Sequence, residues 1–342
     1  MDKIKQKFQV AVRCMTYNHS KYITDTMNGF AMQQTNFPFV CMIVDDASTD
    51  GEQEVIKKYV EHHFDYNKDG ISYNKQKDYA EIIFARHKTN KNCYFAVLFL
   101  KENHYSKKKT KEPYLKEWQD EVEYIAYCEG DDYWIDCKKL QRQFDILNNN
   151  IDITMVYTNF KTVDKDGNDY YWPSISDKFP KHSKSGNIFL ELLKVGTFVS
   201  THTCCVSKKV INSDYYKLSP NKVDYNLFLA ASAIGNVYYI NDIMGCYRKT
   251  PGSAVNAHHS MVNRLLEEVY KYYLLIYLSN QQIFPKGKDA FIVKLMAMKK
   301  ALREMVHGNS TFFHEIISKS IMMYMYIPLA VLGIVFAKFH RK

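Results

Sequence analysis

Several features are missing from this sequence, and each absence narrows the reading. No two of its eight cysteines stand at a C-x-x-C spacing; they are scattered at 14, 41, 93, 128, 137, 204, 205 and 246. That weighs against a structural zinc site. Those lying in apolar runs read as small buried hydrophobes. The opening "MDKIKQKFQV" is charged and holds no apolar segment of the secretory kind, so a reducing cytosol is the expected setting. The early loop "CMTYNHSKY" has no glycine. A nucleotidyltransferase would want a Gly-rich triphosphate loop there, so that reading ranks last. No dense basic stripe accompanies the formal charge of +9. The best cluster, "KKKTK" at 107–111, reads as a solvated loop, and no nucleic-acid partner is expected. The charge leaves an anionic membrane surface or a phosphorylated ligand as partners. His202, His258 and His259 are not spaced as a metal set and read as surface or loop residues.

Length and core are not lacking. The 342 residues are 46% hydrophobic and 15% aromatic, enough for one large or two modest folded domains and too apolar for disorder. "FQVAVRCMTYN" opens with an apolar, β-prone run. "SKYITDTMNGFAMQQ" follows with helical periodicity, Ser20 being the candidate N-cap. "FVCMIVDDASTDG" repeats the format. Its continuous apolar strand stops abruptly at Asp45 and Asp46, and a helix follows from about Gly51, with Ser48 and Asp50 as its caps. "CYFAVLFLKEN" and "VEYIAYCEGDD" supply two more strands. The polar segment 67–78 reads as an insertion. "DCKKLQRQFDILNNN" is an amphipathic helix with Asp136 as candidate N-cap.

Farther on, "ITMVYTNFKTVDKDGNDYYW" suggests two strands about the turn "DKDG". "SGNIFLELLKVG" reads as a helix, "FVSTHTCCVS" as a strand, "VDYNLFLAASAIG" as a helix ending at Gly235 and "NVYYIND" as a strand. Apolar strands alternating with helices predict an α/β fold with a mainly parallel central sheet. Polar residues gather just past the strand C-terminal ends, where open α/β sheets bind ligands. Beyond position 256 the pattern turns helical, in "MVNRLLEEVYKYYLLIYLSNQQ" and "DAFIVKLMAMKKALREMVHG". The division expected is a catalytic domain over 1–256 and a helical C-terminal region over 257–342. The uncharged run 321–337, followed by "KFHRK", lies near the lower length limit for spanning a bilayer. It is expected to contact a membrane at a cytoplasmic, basic-flanked face.

The stretch "CEGDDYW" sets three carboxylates, Glu129, Asp131 and Asp132, directly after an apolar strand. Like charges this close repel, so either solvent or a bound cation must neutralise them. "VAVRCMTYNHSKYI", "VDDASTDG", "KEN", "CEGDDYW" with "KLQRQFDIL", and "VDYNLFLAASAIGNVYYINDIMGCYR" occur in this order. Together they resemble a bacterial family 2 glycosyltransferase of GT-A fold, over about 8–253. The resemblance implies a Rossmann-like central sheet flanked by helices, with the helical C-terminal extension outside it. It implies a nucleotide-sugar donor and a divalent cation, and oxygen-only ligands favour Mg or Mn. On that resemblance Asp131 holds the metal with Asp132 nearby. Glu129 lies near the ribose, where relatives more often carry aspartate. Thr16 and Tyr17 touch the nucleotide, Asp46 meets the uracil or ribose, and Asn103 borders the site. Arg248 offers the diphosphate an always-charged fork. Asp224, which on its own reads as an N-cap, occupies the position of the general base.

The chemistry agrees. A leaving nucleoside diphosphate gathers negative charge that a cation can neutralise. The acceptor hydroxyl must give a proton to a carboxylate within hydrogen-bond reach. The expected function is inverting transfer from a UDP-sugar to a saccharide or lipid-linked saccharide acceptor. The expected context is cell-surface polysaccharide synthesis at the inner face of the cell membrane. The alternative is a non-catalytic module of the same fold that binds a nucleotide or glycan. It draws on Val223, which stands where relatives pair a second polar residue with the base.

Overall fold

The computed structural model describes residues 7–66, 68, 70–217, 224–250, 288–306, 313–314 and 321–332. The chain divides into two compact units. One comprises Met1–Gly186, Phe198–Asn212 and Ile234–Ser253; the other comprises Asn187–Thr197, Ser213–Ala233 and Ala254–Lys342.

The first unit carries the sheet. In chain order its main elements are β1 (Val10–Thr16), α1 (Ile23–Ala31), β2 (Phe39–Asp45), α2 (Glu52–His63), β3 (Tyr73–Gln76), β4 (Ala80–Arg86), β5 (Cys93–Leu100), α3 (Glu112–Gln119), β6 (Tyr124–Tyr127), β7 (Tyr133–Trp134), α4 (Lys139–Asn149), β8 (Ile153–Val163), β9 (Cys205–Ser207) and β10 (Asn236–Arg248). Among the described residues, ten strands line up in the order β3-β4-β5-β2-β1-β6-β9-β8-β10-β7. The centre, β5-β2-β1-β6, is parallel throughout. Every residue of β2 and β5 is buried, as their unbroken apolar runs require of strands covered on both faces. Outside this centre the sheet is mixed: β8 and β10 run parallel, whereas β3–β4, β4–β5, β6–β9, β9–β8 and β10–β7 are antiparallel.

Several local expectations change. The segment read as an insertion ends in the β3–β4 hairpin, and β4 pairs with β5 along its whole length. The second strand after "DKDG" reduces to one bridge, between Val163 and Asp169. A 3-10 turn over Thr201–Thr203 precedes β9. Helix α1 starts without a side-chain cap, and the Ser20 N–H donates instead to Asp50 Oδ2 at 2.9 Å. At α4, Lys138 holds the cap position and Asp136 Oδ1 accepts its N–H. The side chain of Gln33 caps the first turn from outside, Oε1 accepting the Leu140 N–H at 3.0 Å. Seven of the eight cysteines are buried and all are free thiols.

Helix α1 is what seats the acidic stretch. It approaches β7 so closely that a Cβ on Gly29 would lie 2.9 Å from the Trp134 backbone. Phe30 meets Trp134 edge-on at 5.0 Å, and the indole Nε1–H donates to His202 O. The tryptophan is 2% exposed, and a ring of that size, buried with its polar tip satisfied, anchors the loop before it.

The second unit contains α5 (Phe189–Val195), α6 (Asp224–Ile234) and α7 (Lys288–Val306). Residues 225–233 of α6 are buried on all sides, which makes it a central helix of this unit. Tyr225 Oη donates to Leu192 O, joining α6 to α5. The segment "MVNRLLEEVYKYYLLIYLSNQQ" lies outside the described residues, and the run 321–337 is described only through 332. Among the described residues no helix is long and apolar enough to cross a membrane.

Candidate functional site

Because β5, β2, β1 and β6 are parallel neighbours, their C-terminal ends meet at one edge of the sheet. Thr16 pairs with Asp45, Asp45 with Phe99, and Arg13 with Tyr127. Four loops therefore begin side by side, carrying Thr16 and Tyr17, Asp46, Asn103, and the run Glu129–Asp132.

Asp46 builds one wall. It is 4% exposed. Its carboxylate accepts the backbone N–H of His104 at 2.8 Å and of Tyr105 at 3.0 Å, and Lys111 Nζ lies 3.0 Å away. Asn103 Nδ2 donates to the Asp46 carbonyl. Asp46 thus orders the loop after β5, and Lys111, read from the sequence as part of a solvated loop, is held on it. Lys107 and Lys109 pair with Glu102. Neighbouring Asp45 is fully buried, and burial raises its carboxyl above the ordinary range against hydrogen bonds from Ser48 and Gln53. Ala47 completes the turn at a φ of 61°, a left-handed conformation that costs an alanine about 1–2 kcal/mol.

The acidic loop is threaded closely past the first. A Cβ on Gly130 would lie 2.0 Å from Thr16 Oγ1 and 3.0 Å from His19 Nδ1, so only glycine fits between Glu129 and Asp131. The buried Thr26 hydroxyl donates to the carbonyls of both Gly130 and Asp132. Beyond this point the two aspartates part. Asp132 turns inward and is 3% exposed. Its Oδ1 accepts the Arg248 N–H at 2.8 Å, and its Oδ2 lies 3.3 Å from His202 Nδ1. Burial, then the charges of Asp131 and Glu129, push its pKa well up, against the Arg248 hydrogen bond. Asp131 turns toward the edge. Its Oδ2 lies 3.8 Å from His19 Nε2 and accepts from Thr250 Oγ1 at 3.4 Å.

His202 is not the surface histidine expected from its sequence. It is fully buried, stacked on Tyr247, and burial drives its pKa down to about 3. Arg248 is also buried. Its Nη2 donates to Asp25 at 2.6 Å, Nε to the Asp131 carbonyl and Nη1 to the Lys165 carbonyl, with the guanidinium over the Tyr22 and Tyr133 rings. In this arrangement it is a brace behind the acidic loop. Thr16 is buried too, its hydroxyl donating to Glu52. Tyr17 is 43% exposed at the rim, and Glu129 is half-buried. Asp224 begins α6 in the other unit, where it is exposed.

Among the described residues no three His, Cys, Asp or Glu side chains converge as a metal site. The protein side of a cation site at this edge would be the Asp131 carboxylate, whose side chain is 16% exposed. One carboxylate with a hard oxygen suits Mg or Mn, ions that take most of their ligands from phosphate and water. A separate depression of about 820 Å³, lined by Gln33, Asn36, Asn90 and Gln141 among others, lies where the chain enters β2 and β5, at the opposite ends of the strands.

The pattern of Glycosyl transferase family 2 matches residues 14–216, more than half of the chain. The chain is a family 2 glycosyltransferase. Uncharacterized proteins of Mycobacterium bovis and Mycobacterium tuberculosis are 23% identical over 240 residues, covering 70% of this chain and 58% of their own length. The chain thus spans a little over half the length of these curated relatives. Among solved structures, S. aureus TarS in complex with UDP-GlcNAc superposes with a TM-score of 0.51 at 15% identity, over 94% of this chain and 82% of that one. The likeness shows the GT-A fold. This family 2 glycosyltransferase also carries residues that sequence reasoning passed over: His19, Thr26, Glu52, Lys111 and the buried His202. Their deciding partners lie up to more than a hundred residues away, and the local ones, Thr16 for His19, Ser48 for Glu52 and Ser200 for His202, do not by themselves mark a site.

Proposed function

We propose that the chain transfers a sugar from a nucleoside-diphosphate sugar, with UDP as the nucleotide, to a saccharide or lipid-linked saccharide acceptor, with inversion. The observation that carries the proposal is the opposed orientation of adjacent aspartates. One carboxylate is spent inside the protein, and the other faces the strand edge where family members bind their donor. Tyr17, Asp46, Asn103 and Glu129 line the nucleotide side. Their types suit it: an exposed aromatic for a base, and polar groups for the base and ribose edges. Asp131 would hold Mn or Mg, and such a cation, when bound, neutralises charge on the leaving diphosphate. Asp132 and Arg248 contribute by fixing the loop that aims Asp131. UDP is favoured by the TarS complex, which holds a UDP-sugar.

Asp224 takes the role of general base. Exposed at a helix start, it would accept the acceptor's hydroxyl proton as that oxygen attacks the anomeric carbon. The setting proposed is cell-surface polysaccharide assembly at the cytoplasmic membrane face, with 321–337 and the basic charge as membrane contacts.

The test begins with thermal unfolding of the protein with UDP, GDP, CDP and dTDP, each with Mn, Mg or chelator. A ligand specific to the folded state at 100 times its Kd adds about 2.7 kcal/mol of stability, a shift of several degrees. UDP with a divalent cation should give the largest shift. With the selected sugar nucleotide, Asp224→Asn should abolish transfer and leave that shift intact. Turnover preserved in Asp224→Asn would remove it as base, and no shift with any nucleotide would remove the enzymatic reading.

A further inference from the structure

His19 stands between the first loop and the acidic loop, and its hydrogen bonds fix which way its ring presents a lone pair. Glu52 is fully buried. It accepts the Thr16 hydroxyl on Oε1, and the His19 backbone N–H at 2.9 Å and the Ser48 hydroxyl at 2.8 Å on Oε2. Three donors hold this carboxyl as an acceptor, against burial, which raises its pKa above the ordinary range. Thr16 has one proton, and Glu52 takes it. The Thr16 oxygen therefore meets His19 Nδ1, 3.2 Å away, as an acceptor, and Nδ1 carries the ring proton. In the neutral ring the lone pair is then on Nε2, the atom that faces Asp131 Oδ2 at 3.8 Å.

Two acceptors thus face each other across a gap too long for a hydrogen bond. It is short enough for one ion to reach both, at about 2 Å from each. Both side chains keep an opening, His19 at 22% and Asp131 at 16% exposure. A ligating imidazole normally has its other nitrogen held by a hydrogen bond, and the Glu52–Thr16 pair supplies that here. Gly130 keeps the arrangement close, since any side chain there would push the first loop off.

We propose that His19 Nε2 is a second protein ligand to the divalent cation, beside Asp131, with Thr16 and Glu52 orienting the ring. The inference rests on the proposed cation–diphosphate reading. It also sets a preference. An imidazole nitrogen is a poor ligand for Mg and a better one for Mn or later first-row ions, so this site should favour Mn.

The test is spectroscopic and needs no turnover. The full chain is loaded with Mn(II) and UDP, and electron spin-echo modulation is recorded on wild type, His19→Ala, His19→Gln and Asp131→Asn. Free Mn is followed in the same samples. The expected result is nitrogen modulation from a coordinated imidazole in wild type, absent in both His19 variants, with Mn affinity lowered tenfold or more. The preference for Mn over Mg should shrink with it. Mn bound in wild type and lost in Asp131→Asn, but without nitrogen modulation, would overturn the role of His19 and leave the cation reading standing. No Mn bound by wild type with UDP would overturn both. The wild-type spectrum decides even if a variant folds poorly.

Discussion

Asp131 and Asp132 are joined by one peptide bond, yet their carboxylates face different media. Asp132 satisfies a backbone N–H from a strand 116 positions later, while Asp131 keeps its side chain at the edge. Their removal should separate stability from binding. Asp132→Ala strands the Arg248 N–H and should cost about 1–3 kcal/mol in urea unfolding. Asp131→Ala should cost less than about 1 kcal/mol, because it relieves repulsion and removes only a long 3.4 Å contact from the buried Thr250 hydroxyl. Equal losses would contradict the division of labour. At this scale the sequence made the cluster legible: three carboxylates after an apolar strand, with a glycine among them. Which aspartate turns inward was not legible, because β10 and His202 decide it. Arg248 was visible as a fork. That its donors go to Asp25 and two carbonyls depends on α1 and on the turn after β8.

Elements were legible where the apolar pattern was continuous, as in β1, β2, β5 and β6. They were not where pairing rather than composition makes the strand. β4 is bracketed by polar residues and exists because β5 offers it a full edge. Caps were misplaced for the same reason: Gln33, over a hundred positions from Leu140, supplies what Asp136 was expected to. Helix α4 also hides a lysine no pattern would flag. Lys139 is fully buried over the Trp134 ring, its Nζ on Gln143, and burial lowers its pKa from 10.5 to about 8. The folded state therefore releases this proton before the unfolded chain does. Between about pH 8 and 10.5 the unfolded chain binds more protons, so stability from this group rises with pH. Relative to Lys139→Met, wild type should gain about 2 kcal/mol between pH 7 and pH 9.5, read from urea unfolding at both. A flat difference would mean the ammonium titrates normally.

Over the whole molecule, the fold class followed from the order of strands and helices together with the resemblance. The mixed flanks of the sheet did not, since antiparallel β9 and β7 are too short to announce themselves. The compact units also cut across the linear division at 256: 187–197 and 213–233 group with the C-terminal part, α6 being buried along its length with α5 as part of its cover. The proposed membrane role of the C-terminal run makes its own prediction. Truncation before 321 should abolish sedimentation with anionic vesicles, and unchanged sedimentation would mean that the run is not the contact.

If Asp131 holds a cation that in turn holds a diphosphate, UDP affinity must depend on that cation, and calorimetric titration of UDP measures the dependence. Wild type should bind UDP at least tenfold more tightly with Mn than with chelator, a coupling of about 1.4 kcal/mol or more. In Asp131→Asn that gain should vanish while the chelator-state affinity stays. A gain retained in Asp131→Asn, or absent from wild type, would contradict the account.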